Sequence, residues 1–275
     1  MNHVFQIARN TFREAVRDKV LYVILFFAFA MVMASRAIGW VSVGQQEQIV
    51  THFSLAVIRL FVAHIAVFVG THIIYKEIET RTIYTILSKP VARWEFVAGK
   101  FLGLLAVLLV VVTAMGVVVG GYIRLGLGTP VSEQFALAVI LTFFELMVVT
   151  ALAILFSTVA SPVLSAIFTF TSYLVGQVTP SLIELVKFEP TKNKVAHLTG
   201  EGLTDMVSST HWLLAPMAEA AYWVLPNLTH FQARNRVIHG PALTPDEVAI
   251  AILYAVCYSL AVVTVAGILF HRKRF

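Results

Sequence analysis

Long apolar runs separated by short polar connectors set the pattern of this chain. Six runs are long enough for the roughly 20 residues a helix needs to cross a hydrocarbon layer. They cover about 20–40, 55–75, 101–123, 135–159, 163–185 and 249–270. Ahead of the first run, Val4, Phe5, Ala8, Phe12, Ala15 and Val16 share one helical face, and Gln6, Arg9, Arg13 and Arg17 share another. That spacing predicts a basic amphipathic helix lying along a membrane surface, a reading compatible with a simple positive flank. Between the second and third runs, Ile83, Ile86 and Leu87 give a short apolar face at helical spacing. Ser88-Lys89-Pro90 then ends it, because proline lacks the N–H and clashes with the preceding turn. A further helix is expected to begin near Ala92 and continue into the third run. The pattern therefore predicts an all-α polytopic membrane protein of one domain, 1–275, with six transmembrane helices. It also predicts a long loop, 186–248, before the sixth span.

Composition strengthens the membrane reading. The 275 residues are 59% hydrophobic and only 13% charged, against about 25% charged in soluble domains. The first run resembles a secretory signal, with small residues in AFAMVMASRA near its end. Its 19-residue charged lead and its length argue instead for a retained span. Cys257 is the only cysteine, so an intrachain disulfide and a cysteine-rich metal knuckle are both excluded. The net charge of +5 gathers in no aromatic-interleaved patch that would suggest nucleic acid.

The basic residues follow membrane topology instead. If the N-terminus is cytoplasmic, the inner segments hold Arg9, Arg13, Arg17, Lys19, Lys76, Arg81, Lys89, Arg93, Lys100, Arg272, Lys273 and Arg274, twelve in all. The outer ones hold Arg124, Lys187, Lys192, Lys194, Arg234 and Arg236, which is six. Five of those six lie in the long loop, where the positive-inside rule is weak, so both termini are expected to be cytoplasmic.

Eight charges crowd between Lys76 and Lys100, in YKEIETRTIYTILSKPVARWEFVAGKFLG. A short helix with charged ends and a small apolar face suits docking, though composition alone allows a merely solvated loop. The pattern E-x-E-x-R-T-I-x-x-I-L-S-K-P-V-x-R-x-E-F-x-x-G-K-F-L-G, from Glu77 to Gly103, resembles the permease subunits of type-2 ABC transporters. It is most similar to the branch associated with multicopper-enzyme maturation. IARNTFREAVRDKVLY near the N-terminus, STVASPVLSAI at 157–167 and YWVLPNLTHFQARNRVIHG at 222–240 support the resemblance, which covers essentially the whole chain. Many members carry glycine where Arg81 stands.

The resemblance implies the permease of an exporter in a bacterial inner membrane. A second permease chain, as homodimer or close heterodimer, and two separate ATPase subunits carrying ATP and Mg would complete it. The loop after span two would be the coupling helix seated in a groove of the ATPase. Glu77, Glu79, Arg81, Thr82, Ile83, Leu87, Lys89, Pro90, Arg93 and Glu95 would form that contact. The chain itself has no phosphate-binding loop. Lys100 is followed by Phe101, and Trp94 occupies the first glycine position, so this chain is expected to bind no nucleotide cofactor.

Polar residues inside apolar runs are costly and mark candidate sites. Ser165, Thr169, Ser172 and Gly176 form one stripe of small residues, read as helix packing, a dimer interface or a pathway lining. Gly99/Gly103 and Gly116/Gly120 repeat that spacing and read as packing. Glu145 lies deep in the fourth run and Arg59 near the outer end of the second. An intramembrane ion pair is the favoured reading, with a proton relay or substrate contact as the alternative. His64 and His72 face roughly one way, but a metal ion needs more ligands, and the loop histidines His197, His211, His230 and His239 have no ligand-like spacing. WLLAPMAEAAYWVLP suits an interfacial or re-entrant helix, and the loop could meet a periplasmic partner. Two other classes compete. A secondary transporter would show related halves and more buried acids, and an intramembrane enzyme would need H-E-x-x-H or G-x-S-x-G, which the chain lacks.

Overall fold

A computed structural model describes residues 2–41, 46–79, 92–187, 225–231 and 243–272. Seven α-helices make up nearly all of them: α1 (Asn2–Val16), α2 (Lys19–Val41), α3 (Gln46–Glu79), α4 (Arg93–Gly126), α5 (Glu133–Val159), α6 (Pro162–Lys187) and α7 (Pro245–Arg272). One 3-10 turn, Leu228–Phe231, precedes α7. Among the described residues, four helices are long and apolar enough to cross a membrane: Gln48–His72, Arg93–Gly126, Glu133–Val159 and Pro245–His271. The chain is thus a helical, multi-pass membrane protein. α2 and α6 occupy the other two expected stretches.

Local chemistry explains the boundaries. Asp18 separates α1 from α2, and its Oδ1 accepts from Val20 N at 2.9 Å, satisfying a free donor of the new helix. The α4–α5 turn passes through Gly128 at φ +72°, a left-handed conformation glycine adopts without steric cost. Ser132 then caps α5 by accepting from Phe135 N. Thr244 and Glu247 cap α7 reciprocally: Glu247 N donates to Thr244 Oγ1, and Thr244 N donates to Glu247 Oε2. Between α5 and α6, Pro162 sits at the first helical position, where its missing N–H costs nothing.

The chain forms two compact units, residues 1–170 with 231–275, and residues 171–230. In the first, α5 is central and packs against α3, α4 and α7. Every residue from Leu146 to Ile154 is buried, so no face of this stretch is left for lipid. α1 lies on α4 and α2 on α3. α7 keeps an apolar outer face, with Ile250, Leu253, Leu260 and Ile268 exposed, as a bilayer-facing helix requires. In the second unit, the latter part of α6 meets the segment at 226–228, and a Cβ placed on Gly176 would stand 2.7 Å from Pro226 O.

Glu77 and Glu79, expected in the loop after the second span, are helical: the backbone of α3 continues through Glu79. Nothing in Tyr75–Glu79 breaks a helix, and glutamate and lysine favour one. α3 and α4 therefore run 34 residues each, about 51 Å at 1.5 Å per residue. That exceeds a hydrocarbon layer of roughly 30 Å, so both helices extend beyond it. Arg81, Thr82, Ile83, Leu87, Lys89 and Pro90 lie outside the described residues, as do 188–224 and 232–242 of the long loop.

Candidate functional site

The described residues nearest the charged segment gather where α4 begins. Ala92 precedes the helix, and its N–H donates to Glu95 Oε2 at 3.1 Å, closing the first turn. Arg93 is the first helical residue. Its Nη1 donates to the carbonyl oxygens of Phe270 (3.3 Å) and His271 (2.9 Å) at the end of α7. Those carbonyls belong to the last turn of a helix, where they lack intrahelical donors and a cation also complements the helix dipole. Phe96 stacks on Phe270 with ring centroids 5.5 Å apart, one turn further in. Arg93 and Glu95, both expected to face an ATPase, thus hold the start of α4 in shape and tie it to α7.

On its other side the same stretch of α4 receives α1. A Cβ on Gly99 would fall 2.7 Å from the Ile7 side chain, and one on Gly103 would fall 2.6 Å from Ala8 O and from Thr11 Cβ. Both are shorter than van der Waals contact, so the two backbones approach this closely only because these residues are glycines. In a bilayer, where apolar surface gains little by leaving lipid, such close packing is what holds helices together. Between the glycines stands Lys100, 1% exposed, with Nζ 3.6 Å from Glu14 Oε2 and 5.7 Å from the Phe96 ring centroid. The basic amphipathic helix expected on the surface is therefore seated against the third apolar run by two glycines and a buried cation. The sequence counts Lys100 among the cytoplasmic charges and gives it no buried partner. A lysine flanked by Gly99 and Gly103 at the mouth of an apolar run was the signal available.

Deeper in the first unit, Arg59 on α3 meets Glu145 on α5. Arg59 Nε and Nη2 donate to Glu145 Oε1 at 2.9 and 2.8 Å. Glu145 is fully buried and the Arg59 side chain 17% exposed. A charge in this setting is tolerable only when paired, so the contact fixes the register of α3 against α5.

The small-residue stripe of α6 divides between the two units. Ser165 Oγ donates to Phe156 O at 3.0 Å across the α5–α6 turn, and Thr169 Oγ1 donates to Ser165 O at 2.7 Å. Both are fully buried within their own chain. Ser172 is also buried, and Gly176 abuts Pro226 and Leu228. Gly116 likewise receives Val139 of α5, a Cβ there standing 3.0 Å from its Cγ1.

His64 and His72 line one apolar groove of about 380 Å³ with Phe68, Thr71, Pro162 and Phe170. His64 Nδ1 donates to Leu60 O at 2.7 Å, and its ring lies 5.4 Å from that of Phe170. Among the described residues no group of three or more His, Cys, Asp or Glu side chains could hold a metal ion. His197, His211 and His239 lie outside them.

Long helices that exceed the bilayer define the class as a polytopic, helical membrane protein. A family model described as "ABC-2 family transporter protein" matches residues 5–274. With nearly its whole length matched, the chain belongs to the ABC-2 transporter family and is the membrane component of an ABC transporter. Membership implies an ABC ATPase as partner and a dimeric permease. No curated protein matches the chain.

Proposed function

We infer that this protein is the six-span permease subunit of an ATP-driven exporter. α2, α3, α4, α5, α6 and α7 supply the six spans, both termini are cytoplasmic, and the membrane is a bacterial inner membrane. ATP is hydrolysed on two copies of a separate subunit, because no phosphate-binding loop is present in the sequence. Two permease chains associate, and the second copy meets the outer face of α6, where Val163, Leu164, Ile167 and Phe168 are exposed. The buried stripe of Ser165 and Thr169 sets that face. Residues 186–248 face the periplasm and can receive a partner there.

The observation that carries this reading is the bond from Arg93 to the end of α7. The segment 80–91 follows α3 and leads into α4, and Arg93 is the first helical residue after it. A displacement delivered there by an ATPase passes through Arg93 to α7 and through Gly99 and Gly103 to α1. The segment thus moves three helices rather than one, as a coupling helix should. The apolar side chains Ile83 and Leu87 fill a shallow groove of the ATPase, while Glu77, Glu79, Arg81 and Lys89 meet its charges.

Ile83→Asp places a charge in an apolar contact, and Glu79→Ala removes one half of an interfacial charge pair, typically about 2–5 kcal/mol. Both variants are expected to insert normally yet lose co-purification with the ATPase or the coupling of its hydrolysis to transport. If both insert, capture the ATPase and transport as wild type does, the loop is only solvated and the reading fails.

A further inference from the structure

α1 presents three edges in turn around its axis. Ile7, Ala8 and Thr11 meet α4 at Gly99 and Gly103, and Ala15 is buried on the same side. Phe5, 71% exposed, and Phe12 form an apolar edge beside Leu102 and Ala106 of α4. Beyond it Arg9, Arg13 and Arg17 follow one another at intervals of four, all exposed, in a row about 12 Å long at 1.5 Å per residue. We propose that this arginine row binds anionic phospholipid headgroups of the adjoining leaflet. Phe5 and Phe12 then enter the acyl chains beside it, and lipid charge holds α1 on its seat against α4.

Three observations select a lipid surface as the occupant. The first is position. The N-terminal half of α1 meets α4 at Gly99 and Gly103, on either side of Phe101, where the apolar run of α4 begins. Its C-terminal end leads through Asp18 into α2, whose apolar run begins at Val20. With α2 read as a span, both parts of α1 lie at a boundary between polar and apolar chain, the depth of headgroups. The second is charge. Among the described residues none of the three guanidinium groups is in an ion pair. The acids nearby are engaged: Glu14 Oε2 lies 3.6 Å from Lys100 Nζ, and Asp18 Oδ1 accepts from Val20 N. Lys19, also exposed, extends the row to four cations. Basic groups left uncompensated at headgroup level attract anionic lipid over a zwitterion. The third is shape. A row too long for one small anion, bordered by Phe5 and Phe12, matches a surface that carries phosphates above hydrocarbon. An acidic protein would answer the charges but supply no hydrocarbon for Phe5.

Lipid that binds the folded chain raises its melting temperature. Detergent-solubilised full-length protein is titrated with phosphatidylglycerol or phosphatidylcholine, and thermal unfolding is followed by size-exclusion. Phosphatidylglycerol is expected to reach half its maximal effect at about a tenfold lower mole fraction than phosphatidylcholine. High salt should narrow that gap by screening exposed charges. The triple variant Arg9→Gln/Arg13→Gln/Arg17→Gln should melt like wild type in phosphatidylcholine, which shows it folded, and lose the preference about threefold or more. Arg13→Gln alone, a smaller change, should lose about twofold. Arg9→Lys/Arg13→Lys/Arg17→Lys should keep most of the preference, and Arg124→Gln, exposed at the far end of α4, should keep all of it. Equal half-points for the two lipids in wild type overturn the proposal, and so does a full preference in the glutamine variants. Glycerol 3-phosphate and polyglutamate carry the charge without acyl chains. If either stabilises the protein as phosphatidylglycerol does, the occupant is not a lipid surface. No ATPase or transported substrate is present, so failure here leaves the exporter reading standing.

Discussion

Gly103→Ala tests the seat of α1 most directly. The new Cβ would lie 2.6 Å from Ala8 O and Thr11 Cβ and 2.9 Å from Thr11 Cγ2. Carbon atoms prefer about 3.5–4.0 Å, so α1 must withdraw by about 1 Å. Two of the opposing atoms are backbone oxygen and Cβ, which no change of rotamer can move aside. Overpacking of this kind costs about 1–3 kcal/mol. Replacing glycine by alanine within a helix returns about 0.5–1 kcal/mol. The net effect is a destabilisation of about 0–2.5 kcal/mol, concentrated on the α1–α4 contact. Gly121 is the internal control: it lies on the same helix, and a Cβ there meets nothing within 4 Å. Gly121→Ala should therefore keep only the helical gain, leaving the two variants roughly 1–3 kcal/mol apart. Thermal unfolding of detergent-solubilised protein followed by size-exclusion is the primary measurement. Trypsin cleavage at Arg9, Arg13 and Arg17 locates the effect, since a displaced α1 exposes those bonds. Gly103→Ala should melt below Gly121→Ala and be cut faster within α1. Equal melting with unchanged cleavage would refute the close approach.

Two further outcomes are expected. Arg59→Ala should destabilise the protein by about 3–5 kcal/mol by leaving a buried carboxylate alone, while the double variant Arg59→Met/Glu145→Gln should recover most of that loss, measured by thermal unfolding; equal loss in both would show that the pair contributes more than mutual neutralisation. In a Cys257→Ser background, a cysteine at Asn193 should react with a membrane-impermeant thiol reagent added outside spheroplasts, and reaction only from the cytoplasmic side would reverse the proposed topology.

What the sequence determined was local. Apolar run length and helical spacing marked six stretches as spans, because a backbone in hydrocarbon must satisfy its own hydrogen bonds, and among the described residues four of them are helices long and apolar enough to cross a membrane. Caps at Ser132 and Thr244 and the proline at 162 followed from short-range chemistry legible in a few residues. The continuation of α3 through Glu79 was missed because charge was read as loop, although the residues themselves favour helix. Arg59 and Glu145 stood out because a charge in an apolar run is costly, but their 2.8 Å contact is a fact of the tertiary structure. So are the bond from Arg93 to the carbonyls of Phe270 and His271 and the ion pair between Lys100 and Glu14. Each joins residues far apart in the chain, and no local pattern distinguishes an arginine that caps a distant helix from one that waits for a partner. Glycine spacing on α4 announced a close neighbour without saying which. α1 fills that place because, between Val4 and Thr11, its backbone and short side chains lie directly over Gly99 and Gly103, and that fit exists only once the helices are side by side.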